Sequence, residues 1–254
     1  MLIDTHCHLY LPEFKNDLPG VMDRAQEAGV EEFYLPAIDS TVVADMMALE
    51  AAYPSNCFCM MGLHPCSVKE NYEEELALVE SWLTRRPFAA IGETGLDFYW
   101  DRSFEQQQYD SFHRQLEWGI RYNLPVVIHS RDSTDQCIQS VRQYQNGSLR
   151  GIFHCFTGTH EQARQITAAG FYLGIGGVLT YKNAGLAASI KDIPLEYLVL
   201  ETDAPYLSPV PLRGKRNESS YLTHILAKLA EVKGLSREEV EAATTANAEK
   251  IFGT

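Results

Sequence analysis

Six side chains of metal-binding type end short apolar runs in this chain: His6 and His8 in LIDTHCH, Glu93 in AAIGETGLD, His129 in PVVIHSR, His154 in GIFHCF and Asp203 in LVLETDAP. Four imidazoles and two carboxylates suit Zn²⁺, Mn²⁺, Ni²⁺ or Fe²⁺, with Mg²⁺ a further option, and suit an oxygen-seeking Ca²⁺ poorly. Six donors exceed what one open tetrahedral zinc uses. Two divalent ions sharing a bridging carboxylate use them better. The expected arrangement places His6, His8 and Asp203 on one ion, His129 and His154 on the other, and Glu93 between them. His6 and His8, two residues apart at a strand end, point to one face, with Cys7 turned away. Taken singly, each signal has a plainer reading, either a polar pair at a strand edge or a hydrogen-bonded histidine in the core. What argues for a shared site is the same ending on five separate segments.

Those segments need a scaffold that brings strand ends together. Apolar runs at 2–4, 32–35, 58–62, 89–92, 126–129, 151–154, 171–174 and 197–201 read as strands. Helices are expected at 18–28, 41–52 (capped by Ser40), 72–85 (after Asn71), 104–122, 134–144, 160–169, 184–190, 218–233 and 237–251. Ser103-x-x-Gln106, Thr159-x-x-Gln162 and Ser236-x-x-Glu239 have the capping-box pattern. Strand–helix alternation implies parallel pairing with helices outside. Eight such units in 254 residues predict a single-domain α/β fold, a (β/α)₈ TIM barrel over residues 1–254 with an additional C-terminal helix. No G-x-G-x-x-G follows the first strand, which argues against a dinucleotide fold. In a barrel of this kind the strand C-termini form one functional rim.

The formal charge is −13, which disfavours broad nonspecific binding to duplex DNA through lysine and arginine contacts. Cys7, Cys57, Cys59, Cys66, Cys137 and Cys155 include no C-x-x-C pair, and Cys57-x-Cys59 reads as buried packing rather than a soft metal site. No secretory signal or membrane-spanning run is visible, so a cytoplasmic protein with reduced thiols and no membrane association is expected. No obligate protein partner is indicated.

The ordered segments DTHCHL, GLHP, GETGLD, HSRD, HCFTG, ETDAPYL and RGKRNE resemble the TatD-type metal-dependent deoxyribonucleases, among the amidohydrolase-like metallohydrolases. The resemblance spans nearly the whole chain. It implies a metal-dependent barrel acting on DNA, the six residues above as ligands, and a place near the substrate for His64, whose plainer reading is a structural hydrogen bond. Two positions depart from the family pattern: Ser219 stands where proline is common and Leu212 where histidine is frequent. Neither is an expected ligand.

The expected reaction is phosphodiester hydrolysis by a metal-activated water, with Asp203, Glu93 and His64 as catalytic residues and Asp203 accepting the proton of the water. Arg131, Arg213, Lys215 and Arg216 are candidate phosphate contacts, because guanidinium groups match phosphate oxygens; a solvated or ion-paired loop is the plainer alternative. Gly92 and Gly95 would permit close backbone approach to ions or substrate, and Asp97 would support a ligand histidine or lie in a solvated loop. Phe98, Tyr99 and Trp100 either pack on the barrel or stack on bases. His113, His160 and His224 fall on helices, away from metal. An acidic surface favours single-stranded DNA or DNA ends as partner, hence an exonuclease. An amide or ester hydrolase of small molecules, and a noncatalytic metal-containing binding protein, are the alternatives. The basic RGKR loop favours phosphate over a neutral amide.

Overall fold

A computed structural model of the chain describes residues 1–253. Its strands are β1 (Leu2–Asp4), β2 (Val30–Pro36), β3 (Cys57–Met60), β4 (Ile91–Asp97), β5 (Val126–Arg131), β6 (Gly151–Phe153), β7 (Phe171–Ile175) and β8 (Leu198–Leu200). Its helices are α1 (Leu18–Glu27), α2 (Val43–Ala52), α3 (Tyr72–Arg85), α4 (Glu105–Arg121), α5 (Thr134–Tyr144), α6 (His160–Ala168), α7 (Leu186–Ile190), α8 (Leu222–Lys233) and α9 (Arg237–Phe252). All strand pairs are parallel, running β1-β2-β3 and β4-β5-β6-β7-β8. Backbone bonds join the two sheets into a ring. Ala89 N–H donates to Cys59, Met61 N–H to Ala90 and Gly92 N–H to Met61 on one side, and Thr5 N–H donates to Leu200 on the other. The fold is therefore the (β/α)₈ barrel that the alternation implies.

Strand periodicity sorts the side chains. Ile3, Tyr34, Met60, Ala90, Val127, Ile152, Tyr172 and Val199 meet inside the ring, one from each strand or its first flank. Ala248 and Ile251 of α9 join that layer, and Phe252 stacks on Tyr34 with ring centroids 3.6 Å apart, so the extra helix plugs one end of the barrel. Residues of opposite parity, such as Leu35, Val126, Ile128, Phe153 and Leu198, pack beneath the helices. Two positions after Val127, Ile152 and Val199 come His129, His154 and Glu201, on the same inward face at the other end.

Glu93 reaches that end by a different route. Ile91 and Thr94 of β4 stand opposite Val126 and Ile128 of β5, so β4 carries one extra residue there. A bulge of this kind re-aims a side chain. Expected boundaries shift accordingly: β4 begins later than the expected strand and runs on to Asp97, which is a buried strand residue rather than part of a solvated loop. Gly95 is also on this strand. Its φ is +137°, and a Cβ there would lie 2.0 Å from the His129 carbonyl oxygen, so the close approach it permits is to β5 rather than to an ion.

The capping boxes at Thr159 and Ser236 form. The one expected at Ser103 does not, because Ser103 N–H donates to the Asp101 carboxylate and the helix starts from Phe104. Ser40 likewise bonds Glu75 rather than capping α2, and Asn71 places no side-chain bond on α3. Helix α8 starts at Leu222, after a 3₁₀ turn over Ser219–Tyr221.

Gly95→Ala should destabilise the protein by about 3 kcal/mol or more in urea denaturation, since backbone conflict adds to an unfavourable dihedral. Gly29→Ala, at φ +83° with open space around it, should cost only about 1 kcal/mol by the same measurement.

Candidate metal centre

Glu93 lies at the floor of a cavity of about 470 Å³ that also takes in His8, His64, Asp97, His129, Arg131, His154 and Asp203. Its two oxygens face two groups. Oε2 lies 3.2 Å from His6 Nε2 and 3.8 Å from His8 Nε2. Oε1 lies 2.9 Å from His129 Nδ1, 3.0 Å from His154 Nε2 and 3.5 Å from His64 Nε2. Asp203 Oδ1 joins the first group, 3.7 Å from His6 Nε2 and 3.6 Å from His8 Nε2. The six residues singled out by their strand endings thus converge, and His64 stands beside them. His6 and His8 lie just past the end of β1, and both still reach the centre.

The donor geometry fits a cation. Tyr10 has a single hydroxyl proton and donates it to the Pro36 carbonyl at 2.5 Å; at its 2.8 Å contact with His8 Nδ1 it must accept. His8 Nδ1 therefore carries the ring proton, and the Nε2 lone pair faces the centre. Asp97 Oδ2 lies 2.9 Å from His129 Nε2, leaving Nδ1 toward Glu93. Glu201 Oε1 lies at ion-pair distance, 3.3 Å from His154 Nδ1 but without hydrogen-bond geometry, and Nε2 faces Glu93. Tyrosine or carboxylate behind an imidazole fixes its tautomer and raises its basicity, the usual support of a ligand histidine. His6 Nε2 and His8 Nε2 approach to 3.3 Å, an approach that a shared cation reconciles. His6 Nδ1 is buried without a hydrogen-bond partner among the described residues.

Electrostatics point the same way. Burial pushes the Glu93 carboxyl up, but His154, His64, His6 and the bond from His129 outweigh it and hold it well below the usual carboxylate range. Asp203 is likewise lowered against burial, through His8, His154 and His6. Burial pulls His154 down, and Glu93 and Glu201 reverse this and raise it well above an ordinary imidazole. Asp97 and Glu93 similarly raise His129, and Glu93 raises His64. His6 is lowered by burial and by His154. Buried carboxylates here demand positive charge, which protonated imidazoles or divalent ions can supply.

Two supporting residues had weak signals. Glu201 stands in ETDAP, but only the fold shows it behind His154, in space left by Gly174, where a Cβ would lie 2.1 Å from Glu201 Oε2. Tyr10 had no signal beyond its place two residues after His8.

The basic residues do not converge as a cluster. Arg131 lines the cavity, its guanidinium 3.9 Å over the Tyr99 ring. Arg213 lies 4.5 Å over Tyr181 in a separate cavity with Lys182 and Val210. Arg216 is engaged in a two-pronged pair with Asp17 at 2.8 and 2.7 Å and donates to the Glu13 carbonyl at 2.6 Å, which removes it from the expected phosphate contacts. Lys215 is exposed on the same loop. Of the rim aromatics, Phe98 is buried, whereas Tyr99 and Trp100 are exposed. His113 bonds Ser140 and His160 bonds the Ser189 carbonyl, both away from the centre. Among the described residues no helix is long and apolar enough to cross a membrane.

A closed parallel TIM barrel with imidazoles and carboxylates gathered at one rim is the arrangement shared with metal-dependent hydrolases among its relatives. The model of the TatD related DNase family matches residues 3–253. The uncharacterized metal-dependent hydrolase YabD of Bacillus subtilis is 37% identical over 99% of both chains. The 3′-5′ ssDNA/RNA exonuclease TatD of Edwardsiella piscicida is 32% identical over 99% of both. The crystal structure of YjjV, a TatD homologue of Escherichia coli K12, matches with TM-score 0.93 at 32% identity, covering 100% of this chain and 98% of that one. The chain belongs to the TatD family.

Glu201→Gln, Asp97→Asn and Tyr10→Phe should each weaken binding of Zn²⁺ or Mn²⁺ to ion-stripped protein by roughly 10–100-fold in titration calorimetry. Because His154 and His129 are raised, binding must displace protons, so wild-type affinity should fall as pH drops through a window that lies above the ordinary imidazole range. Glu201→Gln removes one cause of the elevation of His154 and should move that fall to lower pH.

Proposed function

We propose that the chain is a metal-dependent nuclease that hydrolyses phosphodiester bonds in single-stranded DNA or at DNA ends, as an exonuclease. The observation that carries this reading is Glu93, whose two oxygens address two groups of imidazoles in a cavity that also presents the Arg131 guanidinium. His6, His8 and Asp203 would hold one divalent ion, His129 and His154 a second, and Glu93 would join them. Such ions lower the pKa of water toward neutrality and offset charge developing on a phosphate.

The protein's own groups divide the remaining work. Asp203 is more open than Glu93, with 14% against 3% of its side chain exposed, which supports a role in orienting the attacking water and taking its proton. His64 Nδ1 accepts from Cys66 N–H at 3.0 Å, so the neutral ring keeps its proton on Nε2, available to a phosphate oxygen. Arg131 at the mouth suits a phosphate of the entering strand. At about 470 Å³ the cavity falls within the roughly 300–1,000 Å³ of ordinary ligand sites, which favours one strand end over a duplex. The activity in the name of the Edwardsiella relative supports the same substrate class. Within the cell, a cytoplasmic location is proposed.

The test uses ion-stripped protein supplied with Zn²⁺, Mn²⁺, Ni²⁺, Fe²⁺ or Mg²⁺ and single-stranded DNA labelled at its 5′ or 3′ end. Stepwise shortening that stops with a chelator is expected, with a loss on the order of 10³-fold or more in Glu93→Ala, as for removal of a central electrostatic group. Metal-stimulated cleavage that persists in a clean Glu93→Ala preparation would overturn the assignment. Hydrolysis of a small amide or ester with DNA untouched would move the reaction to a carbonyl.

A further inference from the structure

We propose that Trp100 and Tyr206 form the two walls of a slot that takes an unpaired, planar nucleobase at the cavity mouth; this rests on the nuclease reading. Trp100 is 68% exposed and Tyr206 49%, and both line the cavity that holds Glu93 and Asp203. Both rings stay in water where they line a cavity that also holds charged side chains, which leaves them free to serve as a contact surface. Their positions are complementary. Trp100 follows β4 and Tyr206 follows β8, so the two rings reach the same cavity from different strands.

Both rings are anchored to the centre. Asp97, whose Oδ2 contacts His129, accepts from the Tyr99 and Trp100 amides through Oδ1 at 3.0 and 3.2 Å. The Arg131 guanidinium lies over both rings of that pair, 3.9 Å from Tyr99 and 5.2 Å from Trp100. On the other side Tyr206 N–H donates to the Asp203 carbonyl at 2.8 Å, and the Tyr206 carbonyl accepts from Asn217 at 2.7 Å. The Tyr206 ring stands edge-on to His8, with centroids 6.2 Å apart. One wall is thus tied to a residue behind His129 and the other to the backbone of Asp203. A base seated between them would set its own phosphate over the centre. Stacking is tolerant of base identity because every base has a π-face, and it requires the base to be free of a duplex stack. The slot therefore makes unpaired strands the substrate without reading their sequence.

The experiment compares two single-stranded oligonucleotides that differ only at the terminal nucleotide, thymidine in one and 5,6-dihydrothymidine in the other. The saturated ring is puckered and stacks poorly, while its phosphates and carbonyls are unchanged. Binding of dye-labelled strands to ion-stripped full-length protein is measured by anisotropy, and kcat/KM is measured after reconstitution. Wild type should prefer thymidine by about five-fold or more; Trp100→Ala and Tyr206→Ala should bring the ratio close to one, and Trp100→Phe should restore most of it. Equal binding of the two strands by wild type, or full discrimination retained in both alanine variants, would overturn the slot. Discrimination in binding without cleavage by any reconstituted form would uphold the slot and sink the nuclease reading, so the two failures are distinguishable.

Discussion

The structure depends on burying the Glu93 carboxylate at the floor of a cavity. An ion removed from water costs several kcal/mol unless it is paired and hydrogen-bonded. Nothing near Glu93 in sequence can do this. The groups that compensate it come from just past β1, from beyond β3, from β5 and from just past β6. Only a closed ring brings these endings within reach of one side chain. The charge on Glu93 therefore couples the active end of the molecule to completion of the barrel. The β4 bulge is the local device that aims the carboxylate, and Gly95 is the residue that lets β4 lie against β5 immediately afterwards.

Closure has its own clamp. Asp4 accepts from the Thr202 amide and hydroxyl at 2.9 and 2.6 Å and from the Ser219 hydroxyl at 2.6 Å, joining the first strand to the chain that follows the last. Burial pushes its carboxyl up to about 6, against the opposing effect of those bonds. Directly beyond it, Asp203 N–H donates to the His6 carbonyl at 2.9 Å, so the two ends of the barrel wall present His6 and Asp203 in register. At the opposite end α9 covers the inner layer of apolar side chains. One end of the barrel is thus closed by hydrocarbon, and the other gathers the charged groups of the candidate centre around the cavity.

The features legible in the sequence were those set by local pattern. Apolar runs ending in His129 and His154 mark strand and site together, because inward positions two apart carry first a core residue and then a candidate ligand. The capping boxes at Thr159 and Ser236 were legible because all their partners lie within one turn. Ser103 shows the limit of that logic, since a neighbouring carboxylate on Asp101 captures its amide. The place of Glu93 between the two groups was expected, but the bulge that aims it was not legible, because a bulge leaves no fixed mark in the sequence. The pairing of Arg216 with Asp17, 199 residues away, was equally hidden, and it divides a basic run that looks continuous in sequence. The roles of Tyr10 and Glu201 depend on which nitrogen of a distant ring faces the centre, and only tertiary geometry sets that.

The acidic surface and the basic features of the mouth answer different parts of the recognition problem. A chain of formal charge −13 gains little from the counterion release that drives duplex binding. Many of its arginines are neutralised locally: Arg24 by Glu218, Arg86 by Glu50, Arg114 by Glu73 and Arg121 by Glu80. Arg131 differs, having no carboxylate within ion-pair distance among the described residues and lying over aromatic rings at the cavity mouth. Under the proposed function, an anionic strand entering the cavity would meet Arg131, His64 and the candidate cation ligands together. On that reading charge would limit where a strand can enter, and binding strength would come from short-range contacts inside the mouth. A duplex, too wide to exploit those contacts, would retain the repulsion without the compensation.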